Sequence, residues 1–538
     1  MQYRHVIKSA AVVGSFVLLS RVFGLVRDII FAAFFGTSLA KSAFDVAFRI
    51  PNLFRRLFGE GALSASFIPV FTDTLAHDGK EAAWLLARRV VTFLVVILSE
   101  ITIIGIVCIT IYLHFASPGD RICLVLELLR IMLSYALFIC TAALSMAILN
   151  SFSHFIVPAA TPVLLNLVLI GALIWVCPHL GDTGEERIRG VAWAVFVGGI
   201  LQLVVQVPVL IRYGYRIGFS FNWSDSRLRK VLVLMAPAAL GVGVTQINVT
   251  IGQILAYRVA DWAPAALNYA EHMVYLPLGL FATSLGTVLL PAFSQHSARS
   301  DFGQITSMIN KALRHLMFVM IPASVGMIIL AQPMISLILE NGSFTAESTW
   351  LTARALQFYA PGLFAFSLCK IFAPAFYSLK DTATPVKISL CAIALNFCLN
   401  VAGIAFLPFY YKHTSIALGS VVAETVNGVV LAWLLTRRIG SPGWAQIFNS
   451  LVRILICALI MGLAVYFAHG FFVEWLTTRG ISGKAGLGMS VFGSIGLGIL
   501  IYIAAGTLLC RDEFHEFIAV LKQRRRRPGQ PKACGNGN

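Results

Sequence analysis

Long apolar runs, broken by short polar connections, dominate the chain from end to end. A run of about 20 apolar residues crosses a bilayer as a helix. Fourteen such runs are expected, beginning with 10–35, 43–71, 90–114, 122–149, 157–177 and 190–211. They continue with 231–257, 265–293, 314–339, 351–378, 386–408, 415–435, 451–473 and 486–510. The pattern therefore predicts an all-α polytopic membrane protein. The weak ten-residue alternation of an outer-membrane barrel does not appear. The basic residues before the first run would suit a signal peptide, but Arg21, Arg27 and Asp28 interrupt the run, which reads as a first membrane helix.

Composition sharpens this reading. The chain is 58% hydrophobic and 12% charged, about half the charged share of a soluble domain. A soluble enzyme, a disordered chain and a disulfide-stapled secreted domain are excluded. The ten cysteines fall mostly inside apolar runs and form neither a Cys-x-x-Cys motif nor a metal-spaced cluster with histidine. No metal site, cofactor or catalytic residue is expected. The net charge of +17 is a topology signal rather than a nucleic-acid signal. When the connections are assigned alternately to two sides, one side holds 24 Lys and Arg and the other seven, Lys41 included. That bias places both termini in the cytoplasm. The tail Arg524 to Arg527 reads as an anchor on anionic membrane lipids.

The chain also resembles itself at an offset near 225 residues. Arg89 and Phe93 recur as Arg314 and Phe318, Gly61 as Gly286, and Thr161-Pro162-Val163 as Thr384-Pro385-Val386. Pro51 and Pro69 flank the second run as Pro277 and Pro291 flank the eighth. Six runs per repeat give two lobes of the same orientation, and such repeats place a substrate cavity between them. The expected division is an N-terminal lobe 1–225, a C-terminal lobe 226–440, an extra helix pair 441–510 and a basic tail 511–538.

Charges inside the first two runs carry the candidate chemistry. Arg21, Arg27 and Asp28 lie in the first, and Asp45, Arg49, Arg55, Arg56 and Glu60 in the second. Each costs on the order of 3 kcal/mol at mid-bilayer. At 100° per residue Arg21 and Asp28 share a face while Arg27 points elsewhere; Asp45, Arg49, Asn52, Arg56 and Glu60 fall in one sector. Arginine stays ionised and forks onto phosphate or carboxylate, so an excess of Arg in a cavity suggests an anionic substrate. The competing reading is a set of ion pairs that fix helix packing. At the position matching the second run, the second half has Glu271 and His272 and no Arg cluster. Asn396 and Asn400 share a face, with Glu424 and Thr425 on the next run; they suit either a cation or interhelical hydrogen bonds. No P-loop occurs, which leaves an ion gradient, the membrane potential or mass action as the energy source.

The stretches Ser20-Arg21-Val22-Phe23-Gly24-Leu25-Val26-Arg27-Asp28 and Phe48-Arg49-Ile50-Pro51-Asn52-Leu53-Phe54-Arg55-Arg56-Leu57-Phe58-Gly59-Glu60-Gly61 resemble the MviN/MurJ family of lipid II flippases, as do Leu285 to Pro291 and Ala373 to Ser378. The resemblance implies two six-helix lobes plus two extra helices, with a groove for a lipid tail at 441–510. It implies alternating-access export of an undecaprenyl-pyrophosphate-linked peptidoglycan precursor across a bacterial inner membrane. It places Arg21, Arg27, Asp28, Arg49, Arg55, Arg56, Glu60 and His272 at the substrate, and maps a sodium site loosely onto Asn396, Asn400 and Thr425. Coupling to sodium, protons or the membrane potential is left open. The chain departs from the family at His272, where an Arg is usual, and at Ser42, where an acid is usual. A flippase for another prenyl-linked saccharide and a drug/cation antiporter are the alternatives; an antiporter would want an acidic cavity.

Overall fold

A computed structural model describes residues 2–116, 118–511 and 513–514. Among them every regular element is a helix. The first half contains α1 (Gln2–Phe35), α2 (Leu39–Phe54), α3 (Ala62–His77), α4 (Gly79–Ala116), α5 (Asp120–Ser151), α6 (Ile156–Gly171), α7 (Gly184–Val204) and α8 (Val207–Arg212). Next come α9 (Ser226–Val259), α10 (Ala263–Pro277), α11 (Ser284–Ala298), α12 (Phe302–Ile329), α13 (Ala331–Leu339), α14 (Ala346–Tyr359) and α15 (Gly362–Ser378). The chain closes with α16 (Ala383–Phe406), α17 (Lys412–Ile439), α18 (Trp444–Thr478) and α19 (Gly483–Leu509).

Ten helical stretches are long and apolar enough to cross a bilayer, and α14 with α15, bent by 46°, makes an eleventh. The other three expected runs fall on α1, on α2 with α3, and on α9. Each has the length to span, at 1.5 Å per residue. The fourteen-helix expectation is consistent with this architecture.

The repeat appears in the backbone. α2 and α3 are joined by a π-helical turn, Arg55–Gly61, and α10 and α11 by another, Leu278–Thr283. Pro51 precedes the first and Pro277 the second. A proline inside a helix removes one N–H and crowds the preceding carbonyl, and a π turn is one way to absorb the misfit.

By contacts the chain separates into two compact units. Unit 1 comprises Met1–Ala270, Ile338–Ala355 and Ser389–Ile416; unit 2 comprises Glu271–Leu337, Leu356–Ile388 and Ala417–Asn538. In unit 1, α5 packs on α2, α4 and α7, α1 on α6, and α9 on α3 and α2. Its core has an aromatic chain in which Trp84 stacks on Phe152 at 5.2 Å, and Phe152 on Tyr213 at 5.1 Å. In unit 2, α18 packs along α19 and α12, and α15 lies against α11 and α12. Many large apolar side chains point outward, including Phe467, Phe492 and Leu508. Such exposure suits a surface solvated by lipid.

Within unit 1 the end of α1 is clasped to the segment before α14. Ser343 N–H donates to Ala33 O at 2.8 Å. Gly36 and Gly342 both adopt left-handed φ, +54° and +55°. A Cβ on Gly36 would lie 2.3 Å from Ser343 O, and one on Gly342 2.4 Å from Ala33 O. Both positions therefore require glycine.

Candidate functional site

Arg27 sits about two turns before the clasp at Ala33 on α1. Its Nε and Nη2 donate to Asp28 Oδ1 at 3.0 and 2.7 Å. Its Nη1 donates to Asn166 Oδ1 at 2.9 Å. Asn166, on α6, is itself fixed by donating Nδ2 to Ser20 O at 3.1 Å. Three of the five guanidinium N–H donors are thus used, and two remain for an anion. The sequence reading set Arg27 apart from Asp28 by its angle on the wheel; the long side chain folds back and pairs with it.

Arg21, two turns earlier on α1, is exposed. Arg49 is half-buried about two turns before the π turn, and Arg55 and Arg56 occupy that turn, half-buried and exposed respectively. The turn packs against α5, α3 and α9. A π turn advances by about 80° per residue instead of 100°, so the ideal-helix sector drawn for Arg56 and Glu60 does not hold beyond Phe54. The side chain of Glu60 lies outside the described residues, as does the basic tail.

Asp45 is not an open member of the charged stripe. Lys41 Nζ donates to both Asp45 carboxylate oxygens at 2.5 Å, and the two side chains are 5% and 7% exposed. The ammonium also sits 5.0 Å from the Phe31 ring and 4.9 Å from that of Tyr269, in cation–π contact. Lys41, counted above as a loop charge, is therefore a buried residue of the first turn of α2. Ser42 Oγ accepts from Ala265 N–H at 3.3 Å. Both described acids of the first two runs thus pair with a base of their own helix. Arg27 and Lys41 follow the ion-pair reading, and by composition basic residues still outnumber acids in the region.

His272 lies half-buried on α10, in unit 2. Asn396 and Asn400, 2% and 1% exposed, come together in unit 1. Asn396 Nδ2 donates to Asn248 Oδ1 at 2.8 Å. With its amide turned to satisfy both ends, Asn400 donates to Ser415 O at 3.2 Å and to Asn396 O at 3.3 Å. Thr425 is exposed, and its hydroxyl donates to Val421 O at 2.7 Å within its own helix. Among the described residues no carboxylate hydrogen-bonds the three amides. The trio forms an interhelical hydrogen-bond network.

Sequence reasoning missed Asn166, Asn248 and the burial of Lys41. Asn166 and Asn248 are lone amides in apolar runs, a cue for interhelical bonding that names no partner.

The family model described as "Lipid II flippase MurJ" matches residues 31–483. A probable lipid II flippase MurJ of Vibrio cholerae is 33% identical over 522 residues, covering 94% of this chain and 96% of the relative. The lipid II flippase MurJ of Burkholderia cenocepacia is 33% identical, covering 87% and 90%. Among solved structures, an inward closed lipid II flippase MurJ matches with a TM-score of 0.74 at 24% identity, covering 93% of this chain and 99% of that one. An inward-facing MATE-family multidrug transporter matches with a TM-score of 0.65 at 13% identity, covering 78% and 94%.

Proposed function

The chain belongs to the lipid II flippase MurJ family, and from that premise we propose that it moves lipid II from the cytoplasmic to the periplasmic leaflet of a bacterial inner membrane by alternating access. The observation that carries the chemistry is the basic surplus on α1, α2 and the first π turn. By composition, Arg21, Arg27, Lys41, Arg49, Arg55 and Arg56 outnumber Asp28, Asp45 and Glu60 in the first two apolar runs and the residues that lead into the second. Fixed guanidinium groups in a low-dielectric surrounding grip a pyrophosphate strongly. Arg27 is pre-set for this by Asp28 and Asn166 and keeps two N–H donors free of them. The transport needs no covalent step.

The membrane potential is the energy source we favour over sodium, because the amides of Asn248, Asn396 and Asn400 hydrogen-bond one another and neighbouring carbonyls. An inside-negative potential drives an anion outward by about 2.3 kcal/mol per charge per 100 mV. A pyrophosphate diester carries about two charges, so export runs with the potential. The drug/cation antiporter is not favoured: the likeness to the multidrug transporter concerns the fold, and the described charged helices are basic.

Depletion of the protein in its own cell tests the reading. Lipid II should accumulate in the inner leaflet, shielded from a periplasmic lipid II-cleaving enzyme. Continued access of that enzyme to lipid II, in a cell with no second flippase, would overturn it. Arg56→Gln and Arg49→Gln should each lower export at least tenfold at normal protein levels, because each removes a charge-assisted contact of about 1.5–3 kcal/mol.

A further inference from the structure

The linker from α8 to α9, within unit 1, is not helical, yet it is held at four points. Tyr215 is buried, its ring 5.5 Å from that of Trp84. Ser220 N–H donates to Thr92 Oγ1 at 2.9 Å. Trp223 meets the Phe93 ring edge-on at 5.3 Å. Asp225 pairs with Arg89 and caps α9 by accepting from Arg227 N–H at 2.8 Å. Thr92 and Phe93 also fix a depth. They open the apolar run 90–114 of α4, directly after Arg88 and Arg89. The linker is therefore pinned where a span passes from polar to apolar, the level of the lipid headgroups.

At that level it turns apolar side chains outward. Ile217, Phe219 and Phe221 are 70%, 64% and 65% exposed. The rings of Phe219 and Phe221 lie 6.1 Å apart, so the two share a side. The N–H of Ser220 between them is turned to α4 instead. Exposed cations bracket the stretch, Arg212 and Arg216 before it and Arg229 and Lys230 after it. None of the four forms an ion pair among the described residues, since Asp78 is taken by Arg227 and Asp225 by Arg89. Between Glu186 and Asp225 the chain has no acid at all. Apolar rings at headgroup depth beside unbalanced cations match an anionic lipid surface, where the rings reach the acyl boundary and the cations meet phosphates. The depth favours lipid over a protein partner, because lipid already surrounds that level.

We propose that the linker docks on the anionic headgroups of its leaflet, with Ile217, Phe219 and Phe221 at the acyl boundary and Arg212 and Arg216 on the phosphates. The connection between the two repeats is thereby anchored to the membrane surface. None of these residues is assigned to the transported substrate, so failure of the proposal leaves the flippase reading intact.

The full chain, with p-benzoylphenylalanine in place of Phe219 or of Phe221, is reconstituted in equimolar phosphatidylglycerol and phosphatidylcholine and irradiated. Mass spectrometry of the labelled peptide then identifies what was captured. Both positions should capture phospholipid, with phosphatidylglycerol at least fivefold ahead, the usual effect of even one basic residue at an anionic surface. Arg212→Gln/Arg216→Gln should remove most of that excess while the unfolding midpoint holds. The same probe in place of Phe492, exposed along α19, should capture the two lipids about equally. Adducts to protein instead of lipid, equal capture of the two lipids at 219 and 221, an excess untouched by the double variant, or the same excess at 492 would each overturn the proposal.

Discussion

Lys41 and Asp45 are a lysine and an aspartate one turn apart, taken out of water together between two aromatic rings. Separating such a pair is costly because it strands a buried charge, by about 3–5 kcal/mol. Replacing both partners costs far less. Lys41→Met should therefore lower the unfolding midpoint sharply, and adding Asp45→Leu should recover most of the loss; a double-mutant cycle on the purified chain checks this. Asn166 is the second telling residue. Asn166→Leu removes one bond to Arg27 and one to Ser20, so about 1–3 kcal/mol of stability should go. Export should fall too, because Arg27 loses the partner that aims it; thermal unfolding and an export assay read the two effects separately. The Arg positions were plain in the sequence, since intramembrane charge is rare enough to stand out. Lys41 was not, because its position just past Gly36 reads as a connection until the packing of Phe31 and Tyr269 over it is known.

The helix–π–helix elements show what a period can and cannot give. The prolines at 51 and 277, 226 residues apart, were visible as a repeat. The π turns after them were not, because hydropathy does not distinguish an i→i+5 turn from an α turn. Pro51 makes the first turn tolerable, and that turn sets the heading of Arg55 and Arg56. Pro51→Ala restores the missing N–H and lets α2 continue. Stability should hold or rise while export falls, measured by thermal unfolding and by complementation of a depleted cell. In unit 2, α12 and α18 are joined by Arg314, Ser450 and Glu513. Burial pulls the Glu513 carboxyl upward, but hydrogen bonds from Ser450 and Arg314 bring it below the usual carboxylate range. A carboxyl depressed in the folded state adds stability above its unfolded pKa, about 4.3, and loses it as pH falls through the lower folded value. The unfolding midpoint should drop on acidification across that window, and Glu513→Gln should flatten the drop.

At the scale of the molecule, the membrane class was legible because apolar length signals it, and the fourteen runs are consistent with the ten or eleven candidate spans among the described residues. The contact units were not. Unit 1 takes in α9, the start of α10 and two later segments, since packing on α2 and α3 and the clasp at Gly36 override order along the chain. Thr37 and Ser348 hydroxyls, 2.8 Å apart beside the clasp, offer a handle on it. A Thr37→Cys/Ser348→Cys pair should cross-link under mild oxidant, detected by gel shift after cleavage between the two positions. If export requires the clasp to part, the cross-link should stop it and a reductant should restore it. Gly342→Ala should act in the opposite sense, loosening the joint through a left-handed penalty of about 1–2 kcal/mol and the clash with Ala33.

The joint at Gly36 and Gly342 is made of main-chain atoms alone. Its grip carries no ionisable group, so neither acidity nor salt in the surrounding medium can tune it, whereas salt screens the arginine-rich region. A side chain at either position meets the neighbouring carbonyl whatever the medium.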